Sequence, residues 1–212
     1  MDGVLIDSEK IWAEVRRQFT LDRGGHWDDG TERRMMGMSS PEWAAFMHDD
    51  LGVPLEPDDI ADAVVDEMAK SYRQRLPLLP GAVAAVGRLA DRWPLGLASS
   101  ANRPLIDIVL VAAGLATSFA VAMSTEEVAH GKPAPDVYLA VADRLDASPD
   151  RCAGVEDSTN GLRALAAAGM RIIAVPNKDF PPDPDVLASA DVVISDLTEL
   201  TPDVVSPDVS GS

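Results

Sequence analysis

Residues 152–175 read CAGVEDSTNGLRALAAAGMRIIAV. Two short apolar runs, CAGVE at 152–156 and RIIAV at 171–175, flank a helical spacing over 159–168. Apolar runs of this length, bounded by turn residues and separated by one helix, are the pattern of strands buried on both faces of a parallel sheet. Toward the N-terminus the alternation repeats. Helix 135–145 leads into CAGVE, helix 103–113 into FAVAM at 119–123, and helix 82–92 into PLGLA at 94–98. DVVI at 191–194 is one more candidate strand. The expected class is α/β, a parallel sheet with helices on both faces.

The character changes at LPLLPG, residues 76–81. Before it, residues 8–76 hold helical patterns and no clear strand. The first, near 7–24, spaces Ile11, Val15 and Phe19 helically, with Asp7 or Ser8 able to cap its start. The others, 41–51 and 57–76, each open on a proline, which the first turn of a helix tolerates.

A chain of 212 residues holds one large or two unequal domains, at about 100–200 residues per domain. Its 46% hydrophobic and 25% charged residues are the balance of an ordinary globular protein. Eighteen Lys and Arg against 35 Asp and Glu give a formal charge of −17, which repels nucleic acid and anionic membrane surfaces at long range. If the substrate is anionic, local cations or a metal must offset that field. The one cysteine, Cys152, cannot form an internal disulfide, and its place in RCAGVE predicts a core residue. No apolar run reaches the roughly 18 residues of a membrane span, and no basic-then-apolar leader opens the chain, so the cytoplasm is the expected compartment.

Ligands of such sheets bind where the strands end. Ser99 and Ser100 follow LGLA, Glu156 and Asp157 follow CAGV, and Lys132 lies in HGKPAPDVY after the FAVAM strand. Each has two readings. Two adjacent carboxylates favour a hard cation such as magnesium, or else belong to the cap of the following helix. Lys132, stiffened by Pro133 and Pro135, grips an anion, or else is a solvated loop lysine. Ser99 and Ser100 take phosphate oxygens, or else cap the helix near Arg103. Asp2 would join them if a strand preceded it.

In this order, MDGVLIDSE, LASS, GKPAPDVY and GVEDSTNGLRALAAAGM resemble the motifs of the haloacid dehalogenase superfamily, in the branch of beta-phosphoglucomutase and phosphoglycolate phosphatase. The resemblance implies a Rossmann-like core over 1–7 and 79–212, a helical cap over 8–78, and Mg2+ as cofactor. It implies a phosphatase acting on a small phosphorylated metabolite, a sugar phosphate or phosphoglycolate-like compound, through a phosphoaspartyl intermediate. Asp2 would be the acid and base and give the metal its carbonyl. Ser99, with Ser100, and Lys132 would hold the phosphoryl group, and Glu156 and Asp157 the metal. The family's nucleophilic aspartate stands two residues before Asp2, ahead of Met1. The resemblance therefore predicts a chain without its first central strand, inactive as it stands.

A phosphomutase is the nearest rival. Its cap arginine falls at Ser40 of GMSS, residues 37–40, and its histidine near Trp12, and both departures favour the phosphatase. A metal-independent dehalogenase would not need Asp2 or the acidic pair. A non-catalytic protein that binds phosphorylated metabolites is the alternative from another class. Selectivity is expected from cap residues Arg33, Arg34, Met35, Met36 and Met38 around Gly37.

Overall fold

In the computed structural model, which describes residues 1–35 and 38–206, the strand–helix–strand pattern forms as a parallel pair. Strand β3 (Ala153–Glu156) runs into α8 (Thr159–Ala168) and the chain returns as β4 (Arg171–Ala174), in register from Ala153↔Arg171 to Glu156↔Ala174. Strand β5 (Val192–Val193) adds beyond β4. A second parallel pair joins β1 (Gly96–Ser99) to β2 (Val121–Ser124). Helix α5 (Ala82–Ala90) precedes β1, α6 (Arg103–Ala112) connects β1 to β2, and α7 (Asp136–Arg144) connects β2 to β3. Two short helices, α9 (Pro184–Leu187) and α10 (Pro202–Val205), come late in the chain.

Helix α7 packs against β1, β2 and α8, so Val137, Tyr138 and Val141 share a core with Met123, Leu162 and Ile172. Each large apolar side chain buried there contributes about 1.5–3 kcal/mol. Cys152 differs from expectation. Strand β3 starts one residue after it, and its half-buried thiol donates to Ser148 O at 3.3 Å while packing at the edge of this core.

The sheet stands in two pieces, β1-β2 and β3-β4-β5. Among the described residues no strand joins β1 to β3. Both strands line one cavity of about 890 Å3, which Met1, Val4 and Leu5 also line. In a parallel pair, alternate residues direct their backbone groups to opposite sides. Cys152 O accepts Arg171 N at 2.9 Å and Glu156 O accepts Val175 N at 2.8 Å, both toward β4. The backbone groups of Ala153 and Val155 therefore face the cavity.

The chain divides into two compact units, Met1–Asp7 with Leu76–Ser212, and Ser8–Arg75. Among the described residues the first holds all the strands. The second is built from α1 (Glu9–Asp22), α2 (Thr31–Met35), α3 (Ser40–Asp49) and α4 (Pro57–Gln74). Helix α4 buries Ile60, Val64, Met68 and Tyr72, each four residues from the last, and packs on α1 and α3. Ser8 precedes α1 without a side-chain capping bond.

The five-residue α2 has no counterpart in the helical spacings read from the sequence. Asp28 organises it by accepting Gly30 N at 2.8 Å and Thr31 Oγ1 at 3.0 Å. Met35 is buried in this unit's core, and Arg34 is bound to Asp28 at 3.0 Å. Met36 and Gly37 lie outside the described residues. Trp12, read against the mutase histidine, packs on Trp43 with ring centres 6.2 Å apart. No helix among the described residues is long and apolar enough to cross a membrane.

Candidate active site

Strand β3 ends in Glu156, and the turn after it is set by Ser158, whose Oγ accepts Gly161 N at 3.1 Å. Ser158 supplies the cap of α8, so the acidic pair is not needed for capping. The Glu156 carboxylate is buried and its four lone-pair directions meet four donors. Lys132 Nζ and the Tyr138 hydroxyl both donate to Oε1. Oε2 accepts the Asp157 N–H at 3.2 Å and Ser158 Oγ at 3.3 Å.

Two glycines make room for the pair. A Cβ on Gly161 would lie 2.1 Å from Glu156 Cδ and Oε2. Gly3, with a φ of +68° that side-chain-bearing residues rarely adopt, lies where a Cβ would come within 1.9 Å of Asp157 Oδ2. The opening stretch is a tight turn, with Leu5 N donating to Met1 O at 2.7 Å and Gly3 N to Ile6 O at 2.8 Å. This turn brings Gly3 to Asp157, and the buried Met1 ammonium acts on both acids. Asp7 is exposed beyond the turn, its amide donated to Pro77 O at 2.9 Å.

Lys132 reaches the end of β1 as well, donating to Ala98 O at 3.4 Å. Its loop is tied down by Asp136, whose Oδ2 accepts His130 N at 3.2 Å and lies 3.0 Å from His130 Nδ1. Lys132 is buried and paired, so the solvated reading of this lysine does not hold. Ser99 is buried, and its Oγ accepts Ala101 N at 3.2 Å. Ser124 Oγ donates to Ala101 O at 2.7 Å, pinning the same loop. Ser100 is exposed and makes no hydrogen bond to the Lys132–Glu156 pair. The N-terminus of α6 is served by Glu126, which accepts Asn102 Nδ2 at 2.6 Å and Arg103 N at 3.2 Å. Ser99 and Ser100 are not its cap.

The structure brings together Lys132, Glu156 and Asp157, with Ser99 one residue beyond the Ala98 carbonyl that Lys132 touches and Asp2 next to Gly3 in the opening turn. Sequence reasoning missed Tyr138, Asp136, Glu126 and Gly161. Tyr138 and Gly161 lay inside the motifs GKPAPDVY and GVEDSTNG.

Burial alone would push Glu156 up. Lys132, the Met1 ammonium and the hydrogen bonds from Lys132 and Tyr138 outweigh it and bring the carboxyl to about 2. Asp157 moves the other way, to about 7, through burial and the Glu156 charge. Burial lowers the Met1 ammonium. The signs are opposed. Glu156 stabilises the fold fully above about pH 4.5, and this contribution is lost as pH falls toward 2. Asp157 is protonated in the fold and ionised in the unfolded chain between about 3.8 and 7, so stability falls with rising pH across that window. The Met1 amine acts oppositely, between its lowered value and 8.0. The Asp157 contribution to stability in urea without metal is therefore expected to be greatest near the acidic end of the 4–7 window and to fall toward neutrality, with the Met1 amine opposing it. Asp157→Asn should flatten that slope, and an unchanged slope would overturn the account.

A cation fits the donor chemistry. Two hard carboxylates follow one another in the chain, and Asp157 is held near 7 first by burial and then by the Glu156 charge, both of which a divalent ion would offset. Among the described residues no third His, Cys, Asp or Glu side chain completes a metal cluster.

A family profile described as haloacid dehalogenase-like hydrolase matches residues 1–169. The chain is 34% identical over 211 residues to hexitol phosphatase B of Escherichia coli K12, covering 95% of this chain and 91% of that protein. It is 30% identical over 202 residues to the bifunctional riboflavin kinase/FMN phosphatase of Arabidopsis thaliana, of whose length it spans 52%. Among solved structures, CbbY from Rhodobacter sphaeroides in complex with phosphate superposes with a TM-score of 0.84 at 27% identity, covering 94% of this chain and 93% of that one.

Proposed function

Because the chain belongs to the haloacid dehalogenase-like hydrolases, we propose that its site is that of a magnesium-dependent phosphatase acting on a small phosphorylated metabolite of the sugar-phosphate or phosphoglycolate kind. The observation that carries the reading is the cluster of Lys132 and Asp157 around the buried Glu156, set at the carboxyl ends of β1 and β3 with Gly3 and Gly161 clearing space for the acids. Magnesium, held by Glu156, Asp157 and the Asp2 carbonyl, would supply charge to neutralise phosphoryl oxygens. Lys132 and the loop after Ser99 hold the anion, and Asp2 gives and takes the proton of the leaving oxygen. The proposal takes the cytoplasm as its compartment.

One observation favours a second reading for this chain as it stands. Among the described residues, the carboxylates of the cluster are Glu156 and Asp157, both assigned to the metal, so the second reading is a chain that binds its ligand without turnover. Phosphate release from a panel of phosphorylated metabolites, read beside binding of the same compounds, tests both. Binding with Mg2+ and no release supports the pair of statements. Release that Asp2→Ala leaves unchanged would remove Asp2 from its role, and absence of both binding and release would remove the phosphatase reading.

A further inference from the structure

Tyr138 sits in the first turn of α7, in a core where a phenylalanine would pack equally well. Two contacts are not explained by packing. Its buried hydroxyl donates to Glu156 Oε1, the oxygen that Lys132 also holds. Its ring carries the Lys132 ammonium, 4.8 Å from the ring centre. A buried phenol selects a partner for its O–H, and a cation over an aromatic face is held by the ring's quadrupole.

We infer that Tyr138 is the positioning residue of the site, fixing Glu156 through its hydroxyl and Lys132 through its ring. With Oε1 gripped from two sides, the carboxylate cannot rotate about its last bond, and Oε2 stays turned to Asp157 and Ser158, where its contacts of 3.2 and 3.3 Å are weak enough to yield to a cation. Without the hydroxyl, Lys132 alone holds Oε1 and the carboxylate can swing. Without the ring, Lys132 loses the surface that keeps it between Ala98 and Glu156. One side chain thus sets the cation-holding and the anion-holding groups through separate atoms.

This rests on the metal and phosphate reading above, and the experiment separates the two. Mn2+ affinity, by the paramagnetic signal of the free ion, and inorganic phosphate affinity, by phosphorus NMR, are measured on the full chain, on Tyr138→Phe, on Tyr138→Leu and on Asp157→Ala. Tyr138→Phe should weaken Mn2+ about tenfold, the order of effect of residues that orient metal ligands, and leave phosphate within about twofold. Tyr138→Leu should weaken phosphate as well, by about threefold. If Tyr138→Phe binds Mn2+ as the parent does while Asp157→Ala loses it, Tyr138 is core filling and the inference is wrong. If Asp157→Ala also binds as the parent does, the metal reading has failed and takes the inference with it. The Phe variant keeps the ring and the packing, so the test does not depend on the Leu variant folding.

Discussion

Lys132→Met is expected to destabilise the fold by about 3–5 kcal/mol, because it leaves a buried carboxylate without its nearest cation. The Lys132 and Glu156 side chains are only 9% and 6% exposed, so water cannot replace what is lost. The Tyr138 hydroxyl remains on Glu156 and the Met1 ammonium still acts on it, which sets the effect toward the lower end of the range. For a chain of this size the loss corresponds to a fall of roughly 10 °C in the thermal midpoint. Removing the charge that Lys132 balances should restore much of it, so Lys132→Met with Glu156→Gln is expected to unfold well above the single variant. A single variant within about 1 kcal/mol of the parent in urea would show that the pair is not the buried ion pair described.

Gly161→Ala should cost about 1–3 kcal/mol and about tenfold in divalent-cation affinity. In most helices this substitution helps, since alanine is favoured over glycine by about 1 kcal/mol. Here the added Cβ would stand 2.1 Å from the Glu156 carboxyl carbon, and that carboxyl is held in place by Lys132 and Tyr138. Either α8 shifts or Glu156 lets go of its donors. Gly87→Ala in α5 is the matched control, because nothing lies within 4 Å of its added Cβ, and it should be neutral or mildly stabilising. Equal effects of the two substitutions on Mn2+ binding and unfolding would remove Gly161 from the site.

What could be read without coordinates follows from the range of the forces involved. Strand–helix alternation is a local pattern, and α8 begins and ends at the expected residues 159 and 168. The acids and the lysine are displayed at strand ends, so position in the pattern was enough to single them out. Short pieces with little pattern of their own escaped. Helix α2 depends on Asp28, whereas the expected strand at 191–194 forms as the two-residue β5. Lys132 was legible as chemistry, but its partners Ala98 and Glu156 come from distant parts of the chain. Tyr138 reaches Glu156 across 18 residues, and Glu126 caps a helix 24 residues earlier. Nothing in a tyrosine's own neighbourhood says that its hydroxyl is spoken for, and no spacing rule pairs a glutamate with the helix before it.

The divided sheet bears on how copies of this chain behave together. Ala153 and Val155 offer backbone donors and acceptors along a strand edge, over an apolar hollow that also reaches Leu97 and Ala98. Such an edge is a template on which a foreign strand can lie down, and proteins commonly blunt theirs with charge or cover. Here the blunting is colloidal. A formal charge of −17 keeps like molecules apart at low ionic strength. Salt shortens that protection to about 10 Å at 0.1 M, less than the width of a domain, so added electrolyte uncovers the edge even as it leaves the fold untouched.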